Sequence, residues 1–161
     1  MSEALERRKA YGHIGELAFE KFCETNHLWF KQFGFSNEEG FKMGDLYFKV
    51  PKLIQASPDY IMINKEFNFV ECKVADKETG THVKIKEYDL KFYQQYDNLA
   101  EKGGLLFFIH NPKYKESYLV EMYYIRQMFE HNDLETGHYP ESNKMFYKVP
   151  MEDIRRVGLQ V

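Results

Sequence analysis

Two apolar stretches, Tyr60 to Asn64 and Phe67 to Val74, meet across a short polar turn and dictate a β-hairpin. The second stretch is the more constraining, because Glu71 and Lys73 place two opposite charges inside an otherwise apolar strand. Alternate strand residues share a face, so Phe69, Glu71 and Lys73 point one way and Val70, Cys72 and Val74 the other. Burying unpaired charge costs several kcal/mol. Glu71 and Lys73 are therefore either a structural ion pair or the working groups of a site that holds metal and phosphate.

A third charge dictates how the hairpin must be built. Asp59 precedes the first strand in Ser57-Pro58-Asp59-Tyr60. It shares a face with Glu71 only if Ile63 opposes Phe67 across a three-residue loop of Asn64, Lys65 and Glu66, or if a bulge near Pro58 restores the phase. A two-residue loop would send the two carboxylates to opposite sides of the sheet.

The remaining elements follow from periodicity. Ser2 to Asn26 carries Tyr11, Gly15, Ala18, Phe19, Phe22 and Cys23 on one helical arc, with Ser2 as a cap, and Gly12 and Gly15 suggest close approach to a neighbouring layer. Trp29 to Phe35 and Leu46 to Val50 are β-rich. Lys84 to Lys102 has helical spacing and ends at Gly103-Gly104. Leu105 to His110 reads as a buried strand, Ser117 to Glu121 as strand, Tyr123 to His131 as helix and Lys144 to Val149 as strand before a last helical turn. Ser36 to Gly40 reads as a loop. The expected fold is a single α/β domain over residues 1–161, an αβββαβ sandwich in which helices flank a central mixed sheet. Its core covers about 4–111, with strand and helix additions over 112–161.

Composition sets the outer limits. With 12 Tyr and 14 Phe in 161 residues the chain can bury a large core, which excludes disorder for most of it. A net charge of −3 excludes a basic protein that grips nucleic acid by bulk charge, so any such contact needs a local patch or metal ions. Cys23 and Cys72 are too few and too distant for a disulfide framework or structural zinc, and read as buried thiols. The polar start and the longest apolar run in an evident strand, Leu105 to Ile109, far short of the ~20 residues of a membrane span, lead us to expect a cytoplasmic protein without membrane contact.

Pro58-Asp59 and Glu71-Cys72-Lys73 on consecutive strands resemble the motif of the PD-(D/E)xK nuclease superfamily, and Gly15-Glu16 matches the acid on its preceding helix. Size and element order resemble the small Holliday junction resolvases of archaea and phages within it. The resemblance implies a restriction-endonuclease-like fold and hydrolysis of DNA phosphodiester bonds, on branched or junction substrates and by a homodimer, without an organic cofactor. It implies Asp59, Glu71 and Lys73 as catalytic residues, with Glu16 joining them directly or through water and Glu20 as its alternate. Asp59, Glu71, Glu16 and the Cys72 backbone carbonyl would hold Mg²⁺, with Mn²⁺ able to substitute, because carboxylate and carbonyl oxygens suit a hard cation. Lys73 would orient or deprotonate water, or contact the phosphate.

Lys84, Lys91 and Gln95 on the second helix, and Arg7, Arg8 and Lys9 at the start of the first, are candidate DNA contacts. Tyr88, Tyr93 and Tyr96 read as core and rim, and Asp45 as a turn residue. His131, Asp133, Glu135 and His138 lack the spacing of a metal site. Two other readings stand beside the resolvase-like one: a sequence-specific restriction or repair nuclease, and a catalytically silent nucleic-acid-binding or assembly module on the same core.

Overall fold

The computed structural model describes residues 3–34, 43–140 and 142–161, with side chains from residue 10 onward. In chain order its elements are α1 (Glu3–Thr25), β1 (Trp29–Gln32), a 3₁₀ turn (Gly44–Lys49), α2 (Lys52–Gln55), β2 (Tyr60–Ile63), β3 (Phe67–Val74) and β4 (His82–Lys86). Then come α3 (Glu87–Leu99), β5 (Gly103–Asn111), β6 (Glu116–Glu121), α4 (Met122–His131), β7 (Thr136–His138), β8 (Met145–Pro150), α5 (Met151–Val157) and β9 (Leu159–Gln160). Among the described residues a main sheet of six strands runs β1-β2-β3-β5-β6-β9, and a second of three runs β4-β8-β7.

The core has the expected αβββαβ order, with helices flanking a mixed sheet. β1, β2 and β3 form an antiparallel meander, and β5 returns parallel to β3. Burial on both faces makes β3 and β5 nearly continuous in apolar residues. Parity divides them between two cores. Phe69, Leu105, Phe107 and Ile109 pack with Tyr93 and Tyr96 of α3, while Val70 and Phe108 pack with Phe19 and Cys23 of α1. The Phe19 and Phe108 rings meet edge to face at 5.3 Å. No described helix is long and apolar enough to cross a membrane.

The hairpin register is the one that places Asp59 and Glu71 in phase. Ile63 stands opposite Phe67 and Tyr60 opposite Val70. The loop is Asn64, Lys65 and Glu66, closed by the Glu66 N–H donating to Asn64 Oδ1 at 2.9 Å.

Several expectations are corrected. Leu46 to Val50 does not form a strand; it lies in the 3₁₀ turn and Val50 after it, with Phe48 75% exposed. β-propensity needs a partner strand to act on, and here Gln55 Nε2 instead donates to the Tyr47 and Val50 carbonyls. The expected helix from Lys84 begins only at Glu87, because residues 82–86 pair with residues 146–150 of β8, far away in sequence. Of the two helix glycines only Gly15 makes a close approach: an added Cβ would lie 2.7 Å from Val74 Cγ2, whereas Gly12 has nothing within 4 Å. The first strand ends at Gln32 rather than Phe35. Ser2 and the loop Ser36 to Gly40 lie outside the described residues.

Candidate active site

Asp59 sits one residue before β2, where its carboxyl reaches the backbone of β3 and its charge acts together with those of Glu71 and Lys73. Glu71 is 5% exposed although it carries charge. Its Oε1 accepts the Lys73 ammonium in an ion pair and the Tyr93 hydroxyl of α3 at 2.7 Å. Asp59 Oδ2 accepts the Cys72 backbone N–H at 2.7 Å, which ties the start of β2 to the middle of β3. Asp59 Oδ1 and Glu71 Oε2 have no hydrogen-bond partner among the described residues.

These groups act on one another electrostatically. Burial, and then the Glu71 charge, hold the Asp59 carboxyl well above the usual carboxylate range, against the opposing pull of Lys73 and the Cys72 N–H. Burial pushes the Lys73 ammonium down, but the Glu71 and Asp59 carboxylates outweigh it and raise its pKa overall. Lys73 is thus a retained cation at neutral pH. That disfavours the general-base role open to it in the sequence and favours a phosphate- or water-binding one. Burial and Glu71 raise Tyr93, so its phenol stays a proton donor to the carboxylate.

Glu16 does not join this cluster. α1 lies under the opposite face, where Tyr60 and Cys72 point, and Glu16 Oε2 lies 3.1 Å from His13 Nδ1. Its charge still reaches Asp59, Cys72 and Tyr60. Glu20 accepts the Tyr60 hydroxyl at 2.7 Å and so serves the packing of α1. Among the described residues no three His, Cys, Asp or Glu side chains converge to hold a metal. Two carboxylates with one unpartnered oxygen each fit Mg²⁺, which characteristically takes one or two carboxylates and fills its shell with water and substrate phosphate.

Lys84 lies on β4 rather than on a helix, with its ammonium 5.2 Å from the Phe146 ring. Lys91 and Gln95 are exposed on α3, as expected. The side chains of Arg7, Arg8 and Lys9 lie outside the described residues. Glu135 pairs with Lys148. Cys23 and Cys72 are free thiols, and burial pushes Cys23 up to about 12.

Sequence reasoning missed Tyr93 and Asp89. Tyr93 belongs to the apolar stripe of α3, and only its hydroxyl, which needs a partner once buried, marks it as more than core. Asp89 bears on Lys73 and Tyr93 and pairs with Lys86 at 3.7 Å.

The raised Asp59 pKa carries a stability consequence. Between the ordinary value of 3.8 and its raised one, the folded state holds a proton the unfolded chain has lost, so stability falls as pH rises through that window. Asp59→Asn is therefore expected to stabilise the metal-free protein at neutral pH by about 1 kcal/mol, roughly 2 to 4 °C in Tm. The advantage shrinks toward pH 4, and melting curves across pH check it. A variant less stable than wild type at every pH would contradict the electrostatic account.

No protein-family model matches the chain, and no curated protein matches its sequence. Among solved structures it is similar to D212, a nuclease from a fusselovirus, with TM-score 0.48 and 11% identity over 95% of this chain and 86% of that one.

Proposed function

We propose that the protein is a metal-dependent nuclease that hydrolyses DNA phosphodiester bonds, acts preferentially on branched or junction DNA, and works as a homodimer. The observation that supports the activity most is the hairpin register, which sets Asp59 in phase with Glu71 and Lys73 at one end of β3. A structural ion pair needs neither Asp59 nor a second carboxylate raised in pKa beside it. The resemblance in motif and element order points to junctions, and cutting two strands symmetrically suits two sites related by a twofold axis.

In this reading Asp59 Oδ1 and Glu71 Oε2 hold the ion, with Glu16 acting through water or through its field. Bound Mg²⁺ supplies Lewis-acid stabilisation of the phosphoryl oxygens and leaving alkoxide and lowers the pKa of water. Lys73 donates to a phosphate oxygen or to the attacking water and neutralises charge that develops in the transition state. Tyr93 and Lys73 both hold Glu71 Oε1, which limits its rotamers and leaves the other oxygen without a partner among the described residues. The Cys72 N–H does the same for Asp59.

Incubation with four-way junction, flap, duplex and single-stranded DNA in Mg²⁺, Mn²⁺ or EDTA tests the proposal. Metal-dependent cleavage is expected to be fastest on the junction and at least a hundredfold slower in Asp59→Ala. Sequence-specific cutting of plain duplex would favour a restriction-type enzyme. Absence of cleavage under all conditions would leave a silent binding module, and cleavage indifferent to Asp59→Ala would remove Asp59 from the site.

A further inference from the structure

We infer that the outer face of the three-stranded sheet, with the start of α3, holds a DNA strand through its phosphates. This rests on the nuclease reading and extends it from the site to the path of the substrate. Strand β4 sends Val83 and Ile85 into the core and turns His82, Lys84 and Lys86 outward. In the register with β8, Lys84 stands directly opposite Lys148 and Lys86 opposite Phe146. Like charges in direct cross-strand opposition destabilise a sheet. Glu135 offsets Lys148, but among the described residues Lys84 makes no ion pair.

Two more lysines extend this face. Lys91 Nζ lies 4.5 Å from the Tyr88 ring centroid and 4.9 Å from that of Phe92, and Lys144 Nζ lies 5.6 Å from Tyr88. Neither makes an ion pair among the described residues. Lys84, Lys91 and Lys144 are thus oriented by aromatic rings rather than by carboxylates. A ring places an ammonium without neutralising it, so its full charge remains for an external anion. In a protein of net charge −3 this gathers positive potential locally, where bulk charge supplies none.

The face also adjoins the site. Lys86 pairs with Asp89, and Asp89 acts on Lys73 and Tyr93. A strand whose scissile phosphate meets Lys73 can continue past Lys86 onto these lysines, which contact phosphates and read no bases.

The test is fluorescence anisotropy with labelled junction and duplex DNA in EDTA, across a salt series. It compares wild type, Lys84→Gln/Lys91→Gln/Lys144→Gln, and a charge-matched control, Lys21→Gln/Lys31→Gln/Lys49→Gln. The first triple variant is expected to bind at least tenfold more weakly on both DNAs, with a log–log salt slope shallower by about 2 to 3, since each phosphate contact contributes about 0.9. Its melting temperature should match wild type, and the control should bind like wild type. An unchanged slope in the first variant, or an equal loss in the control, would overturn the inference. Cleavage by wild type with binding unaffected by the first variant removes this surface alone. DNA binding lost in that variant, with no cleavage by wild type in Mg²⁺, removes the nuclease reading and leaves the surface standing.

Discussion

Replacing Lys73 with Met is expected to lower the proposed DNA cleavage roughly a thousandfold and to cost about 3 kcal/mol of stability. The two losses have different causes. Glu71 has only 7% of its side chain exposed and shares one oxygen between Lys73 and Tyr93. Without the ammonium, a buried carboxylate keeps a single phenol partner, and its desolvation is no longer offset. The loss of cleavage arises instead from the missing cation at the phosphate. Adding Glu71→Gln separates the effects. The double variant Glu71→Gln/Lys73→Met buries no net charge, and the Tyr93 hydroxyl can still donate to the Gln amide oxygen, so most of the stability returns while cleavage does not. Urea denaturation of metal-free protein and single-turnover cleavage measure the two quantities. A double variant that still cut DNA would reduce Glu71 and Lys73 to a structural ion pair. A Lys73→Met protein as stable as wild type would show that the pair is not coupled in the folded state.

The second large effect is purely structural. Gly103→Ala is expected to destabilise the protein by on the order of 3 kcal/mol, a Tm loss of roughly 10 °C. Gly103 opens β5 with φ +91°, where a Cβ is strained, and that Cβ would also overlap the Phe67 carbonyl and lie 2.8 Å from Asn68 Oδ1. Gly103 stands opposite Phe67, four residues before the Glu71–Phe107 pair, or roughly 13 Å along the strand. Cleavage measured well below the melting temperature should therefore stay within a fewfold of wild type. Thermal melts and initial rates at low temperature check both halves. An alanine variant that melts with wild type would mean that the β3–β5 junction relaxes freely, against the tight packing of two central strands.

Much of the site was legible because strand parity is a strong constraint. Placing Asp59 in phase with Glu71 called for Ile63 opposite Phe67 across a three-residue loop or for a bulge near Pro58, and the chain adopts the first. Helix α1, the hairpin, β5 and α4 were legible within a few residues because each buries a local periodic pattern. Where periodicity was ambiguous the reading went astray. Ile85 fits the apolar stripe of a helix that continues to Leu99 as well as it fits a strand, and only pairing of residues 82–86 with residues 146–150 settles the choice. Leu46 to Val50 has strand-forming residues, yet no strand among the described residues pairs with it.

The amino-acid sequence by itself determined the αβββαβ core and narrowed the hairpin to an odd loop or a bulge if Asp59 is to meet Glu71 and Lys73, because these depend on the two-residue repeat of a strand and the length of one loop. Tertiary structure decided what depends on partners distant in the chain. It put α1 on the Cys72 face, which keeps Glu16 out of the carboxylate cluster, and it brought the Tyr93 hydroxyl onto Glu71. It also left Lys73 charged, because two nearby carboxylates outweigh the penalty of burial. Paired with β8, β4 brings Lys84 opposite Lys148 and Lys86 opposite Phe146, an arrangement that no local pattern encodes, since strand pairing is settled by long-range packing rather than by propensity.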